Sequence, residues 1–96
     1  MTGDAYLNAI RDLVARNQVY PELARPLGLS GTTVFQIDID RSGNLLHLAV
    51  LQSSGTQVID QALATAIRRS TPFPPVSADV PGRIVHIIAR LYLPAP

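Results

Sequence analysis

Apolar and polar positions change period several times along the 96-residue chain, and each change marks an element. From Asp4 to Asn17 the period is helical: Tyr6, Ile10, Leu13 and Val14, with Asn17 after them, fall on one face. Asp4 stands where an N-cap or first-turn acid is favoured, and Arg16 stands at the end that favours positive charge. Pro21 and Pro26 then punctuate a loop. Within it, Glu22-Leu23-Ala24-Arg25 fits a single turn begun at Pro21. Thr33 to Asp40 alternates cleanly, with Phe35, Ile37 and Ile39 on one side and Gln36, Asp38 and Asp40 on the other. That predicts a strand with one buried and one wet face. Arg41-Ser42-Gly43-Asn44 reads as a hairpin loop in which Gly43 takes a positive φ. Leu45 to Gln52 returns as a second strand. Its faces, Leu46/Leu48/Val50 and Leu45/His47/Ala49/Leu51, are both apolar, so periodicity does not settle which is inside.

Helical spacing resumes over residues 56–69, where Ile59, Ala62, Leu63, Ala66 and Ile67 form one stripe. Ser54 and Gln57 have capping-box spacing, Asp60 lies in the first turns, and Arg68-Arg69 close the end. Thr71-Pro72-Phe73-Pro74-Pro75 forbids further helix and reads as a stiff connector around a buried Phe73. Pro81-Gly82 is a turn. The last strand, 83–93, places Val85, Ile87, Ala89, Leu91 and Leu93 on one face and Ile84, His86, Ile88, Arg90 and Tyr92 on the other.

The order helix, strand, strand, helix, strand is an α+β arrangement. A short loop makes the first two strands antiparallel. A helix joins the second strand to the third, and a right-handed crossover makes those two parallel. A three-stranded sheet of order 2-1-3 satisfies both conditions, with strand 1 central and both helices on one face. The last strand is then a long apolar edge. Such edges invite aggregation and are normally blunted. Here only His86 and Arg90 interrupt it, and Pro94 ends it. Two readings follow: a neighbour in the fold or a dimer partner covers the edge, or an extended peptide adds to it as a further strand.

Composition narrows the chemistry. Hydrophobic residues form 47% of the chain and charged residues 16%, which suits a folded globule rather than a disordered tail. At this length it is one domain with a modest core: residues 1–19 a helix and loop, 20–93 the core, 94–96 a tail. A net charge of +1 gives no basic field for a nucleic-acid backbone. The absence of cysteine excludes disulfides, thiolate catalysis and cysteine-based zinc sites, and leaves the redox compartment open. Every basic residue is arginine, which reads as genomic bias. Ser53-Ser54-Gly55 has neither a histidine partner nor a nucleophile elbow and reads as a strand exit and helix cap. His47 and His86, with Asp38, Asp40 and Asp60 as co-ligand candidates, lie on strands separated by strand 1 and lack ligand spacing. Asp38 and Asp40 therefore read as solubilising, and no enzyme, cofactor or metal is expected. No run approaches the roughly 18 apolar residues of a spanning helix, and no signal peptide opens the chain. Met1-Thr2-Gly3 reads as the start of a piece of something longer, with any anchor upstream.

A set of landmarks carries a resemblance. Tyr20-Pro21 precedes Ala24-Arg25, Gly28, Gly31 and the alternating Val34–Ile39. Asp40-Arg41-Ser42-Gly43-Asn44 leads to Leu51-Gln52-Ser53-Ser54-Gly55, then Ile59-Asp60 with Ala62 and Ala66, then Phe73-Pro74-Pro75. In this order and spacing, across residues 20–93, they resemble the C-terminal domain of TonB proteins, and a helix ahead of Tyr20-Pro21 fits that family. The resemblance implies a non-enzymatic energy transducer of Gram-negative bacteria, with an inner-membrane anchor, a Pro-rich spacer and this periplasmic domain. Neither anchor nor spacer is present, in keeping with a piece of a longer chain. It implies that the domain grips the TonB box of an outer-membrane transporter and conveys work from a proton-driven motor for substrate uptake. The box is expected beside the last strand at Ile84, Val85, His86, Ile87, Ile88, Ala89, Arg90 and Leu91. The loop of Asn17, Gln18, Tyr20 and Pro21 is expected to touch the transporter as well, with Val19 where the family often has a polar residue. The alternatives are a TolA-like or secretion-associated envelope transducer, or a structural domain that homodimerises through its last strand.

Overall fold

The structure, a computed structural model, describes residues 2–96. Helix α1 spans Gly3–Arg16. Its N-cap is Thr2, whose Oγ1 accepts from the Ala5 N–H at 3.1 Å, so Asp4 serves as a first-turn acid rather than the cap. Tyr6, Ile10 and Val14 are its buried stripe, as the spacing requires. A 3₁₀ segment, Glu22–Leu27, follows Pro21 and is closed by Gly28 at φ 60°. Strands β1 (Gly31–Asp40) and β2 (Leu45–Gln52), helix α2 (Gln57–Arg69) and strand β3 (Ile84–Leu93) complete the chain.

The sheet order is β2-β1-β3, antiparallel throughout, so the connection rules arrive at the right topology. Both helices pack on one face. Phe35, Ile37 and Ile39 of β1 are fully buried there against Ile59, Leu63 and Ile67 of α2. Ile87, Ala89, Leu91 and Leu93 of β3 bury the same face, and Phe73 fills the end of the core. Three details depart from the sequence reading. First, β2 buries neither of its faces. Its pairing with β1 slips between Val34 and Phe35 and again between Asp38 and Ile39. Each slip breaks the two-residue period, leaving Leu45 and Leu48 half-buried and Leu46, Val50 and Leu51 exposed. Second, Asp38 is not wet: it is buried although it lies on the open face of the sheet. Third, the capping box does not form. Thr56 is the N-cap of α2 and makes no side-chain cap bond, while the Ser54 hydroxyl bonds its own turn through the Thr56 N–H and carbonyl.

The β1–β2 turn is tied to the connector that leads into β3. Gly43 holds φ 89°, and its carbonyl accepts from the Phe73 N–H at 2.9 Å. A Cβ there would stand 2.0 Å from the Phe73 carbonyl oxygen, so glycine is required by space as well as by dihedral. The Arg41 carbonyl accepts from the Val76 N–H at 3.0 Å. The Arg41 guanidinium in turn donates to three carbonyls: Val80 at 2.7 Å, Gly82 at 2.8 Å and Ser77 at 3.1 Å.

Candidate functional site

Strand β3 is paired with β1 on one side only. The pairing runs without a slip from Gly31↔Leu93 to Asp40↔Ile84. In an antiparallel ladder successive residues turn their main-chain groups alternately toward and away from the partner. Every second residue of β3 therefore presents N–H and C=O to the vacant side. Among the described residues one side chain reaches this main chain: Gln18 Nε2 donates to the Tyr92 carbonyl at 3.3 Å, near the strand's end. The expected edge residues divide by face. Ile87, Ala89 and Leu91 are buried, Val85 is half-buried, and Ile84, His86, Ile88 and Arg90 are exposed on the open face. β-branched residues at Ile84, Val85, Ile87 and Ile88 favour the extended backbone this requires.

The loop residues have structural duties. Asn17 Nδ2 donates to the Leu13 carbonyl at 2.9 Å and to Ser70 Oγ at 3.0 Å, which joins the end of α1 to the end of α2. The Tyr20 hydroxyl donates to the carbonyls of Leu29 and Ala24 and so ties the 3₁₀ segment to the start of β1. Its ring lies under the Arg25 guanidinium, 5.8 Å from the centroid. Gln18 hydrogen-bonds β3, and Val19 is exposed.

The open face holds a polar row that sequence reasoning missed. Asp38 pairs directly with His47 on β2 and with His86 on β3. His86 Nδ1 lies 2.6 Å from Asp38 Oδ1, and Gln36 Nε2 donates to both carboxylate oxygens. The His86 bond is the main reason the Asp38 carboxyl sits below its ordinary range, against an opposing push from burial. Strand 1 does separate the two histidines, as the topology requires, but it delivers Asp38 between them. Cross-strand register, not local spacing, creates the row. No group of three potential metal ligands converges among the described residues. Asp60 is a second engaged carboxylate. Burial pushes it up, but hydrogen bonds from Ser53 Oγ, the Ser54 N–H at 2.9 Å and Thr33 Oγ1 at 2.7 Å hold it at about 2. It fastens the β2 exit and the start of α2 to β1.

A sequence profile for the Gram-negative bacterial TonB protein C-terminal matches residues 16–91. The chain belongs to this family. It is 36% identical over 75 residues to Protein TonB of Vibrio cholerae, covering 77% of this chain and 31% of that protein. With Protein TonB of Pasteurella multocida it shares 25% over 81 residues, 84% of this chain and 32% of the relative. The chain thus spans about a third of these relatives. Two solution structures of the Helicobacter pylori TonB C-terminal domain have the same fold. The longer superposes with a TM-score of 0.82 at 20% identity, covering 99% of this chain and 85% of its own. The shorter gives 0.72 at 22%, covering 92% and 91%. The HasB C-terminal domain superposes at 0.56 with 24% identity, covering 98% and 71%. No helix among the described residues is long and apolar enough to cross a membrane.

Proposed function

We propose that this TonB C-terminal domain is a non-catalytic periplasmic adaptor that takes an extended segment of an outer-membrane transporter, its TonB box, as a fourth strand on β3. The parent protein then passes inner-membrane proton-motive energy to the transporter for substrate uptake. The observation that supports this most is the ten-residue, slip-free edge of β3 with its second side vacant. Ladder bonds are nearly independent of sequence, which suits a domain that serves more than one transporter. Each net bond contributes about 0.5–1.5 kcal/mol, so four to six of them give weak or moderate affinity. Gln18, at one end of the edge, is the loop residue best placed to meet the same partner; Asn17, Tyr20 and Pro21 shape the loop behind it.

The test is amide exchange and chemical shift in a titration with TonB-box peptides. Every second amide between Ile84 and Leu91 is expected to shift and to gain protection, while the amides of α2 stay put. Shifts confined to residues 57–69 overturn the proposal. Self-pairing through β3 would fill the same edge, and light scattering across concentration separates it from peptide docking.

A further inference from the structure

Helix α1 lines two clefts with β3, which together reach from Val85 to Leu91. Near its start, Asp4, Tyr6 and Leu7 line a cavity of ≈ 240 Å³ with Val80, Val85 and Ile87. Further along, Leu7, Ile10 and Arg11 line a narrower cleft with Ile87, Ala89 and Leu91. Beyond its end, Gln18 bonds the Tyr92 carbonyl. The helix therefore lies parallel to β3. Its 14 residues span about 21 Å, close to the roughly 23 Å from Val85 to Tyr92 in extended chain. Tyr6, Ile10 and Val14 are consumed by the core, but Leu7 and Arg11 of the next stripe are exposed. Arg11 has no ion pair among the described residues.

We infer that α1 is the side wall of the docking groove, and that Leu7 and Arg11 select the side chains of the incoming strand. The inference rests on strand addition at β3 and adds specificity to it. A strand laid against β3 turns every second side chain toward the helix layer, with those side chains about 7 Å apart. Leu7 and Arg11 are one helical turn apart, about 6 Å along the axis. One inward side chain thus meets Leu7 and the next meets Arg11. The occupant that fits is an extended peptide with an apolar residue at one inward position and a carboxylate two residues away, at the Ala89–Leu91 end of the groove. An Arg–carboxylate pair at this rim adds direction and register more than strength.

The test uses blocked octapeptides alternating Thr and Val, with an end Val replaced by Glu or by Lys, in both chain orders. Affinity is read from β3 amide shifts. The better-ordered Glu peptide is expected to bind about fivefold more tightly than its Lys counterpart. Arg11→Glu reverses that preference, Arg11→Gln removes it, and Leu7→Ala weakens both peptides about threefold. Arg68→Glu, on α2 and away from the groove, leaves the preference intact. If β3 responds but Arg11→Glu leaves the order of the peptides unchanged, or Arg68→Glu alters it equally, the side-wall assignment is overturned while docking at β3 stands. If no peptide moves the β3 amides, both fall.

Discussion

β3 meets β1 without a slip over its full length, whereas β2 meets the same central strand through two slips. The outer borders of one small sheet are therefore different objects. β2 resembles an edge that has been blunted: its two-residue period is broken by the slips, and Leu46, Val50 and Leu51 are left exposed. β3 keeps strict alternation, buries its inner face from Ile87 to Leu93 and has helix α1 packed against it. A free edge alone is thus a poor sign of a docking site. Regularity on one edge and irregularity on the other, in the same sheet, is a better one, because the regular edge retained a hazard that the other lost.

The largest predicted effect breaks the support that β2 shares with β3. Gly43→Ala drives a methyl into the Phe73 carbonyl at a positive φ, and should cost about 4 kcal/mol, visible as a large fall in the denaturation midpoint. Next comes a direct contrast between the edges. Ile87→Ala, a buried truncation on β3, should cost about 3 kcal/mol, whereas Val50→Ala on β2 should cost about 0.5 kcal/mol or less. Equal losses in urea unfolding would show that the two strands are equally committed to the core. A smaller effect lies at acid pH. Because Asp60 is depressed to about 2, its contribution is complete above the ordinary carboxylate range and fades as pH falls from about 4 toward 2. With its partial exposure the loss is of the order of 1 kcal/mol, and Asp60→Asn should flatten stability over that window. The smallest effect is a null: Val50→Lys should leave peptide affinity at β3 within about twofold, since an exposed site on the far border contributes little. Loss of binding in that variant would move the docking site to β2.

Much of this contrast was legible in the chain. Strict alternation from Phe35 to Ile39 and from Val85 to Leu93 fixed which faces are buried, and the connection rules placed β3 at the border. The apolar ambiguity of Leu45–Leu51 was itself a signal, since a strand with two apolar faces has no preferred register. What stayed hidden depends on partners distant in sequence. Asp38 looked wet because its cover, His86, lies 48 residues away. Ser54 and Gln57 had capping spacing, but Asp60 reached back to Ser53 and Ser54 and across to Thr33 first. The course of α1 beside β3 could not be read from either segment, because the helical stripe sets which side is buried and not which strand it follows.

The Arg41 guanidinium bears on how tension would travel. It grips three carbonyls just upstream of β3 from a root in the turn that begins β2. If β3 takes the guest proposed above, a tug on its front would load this clasp on the β1–β2 turn together with the first rungs of the ladder. The irregular strand, unsuited to receiving a guest, would then help to anchor the edge proposed to receive one.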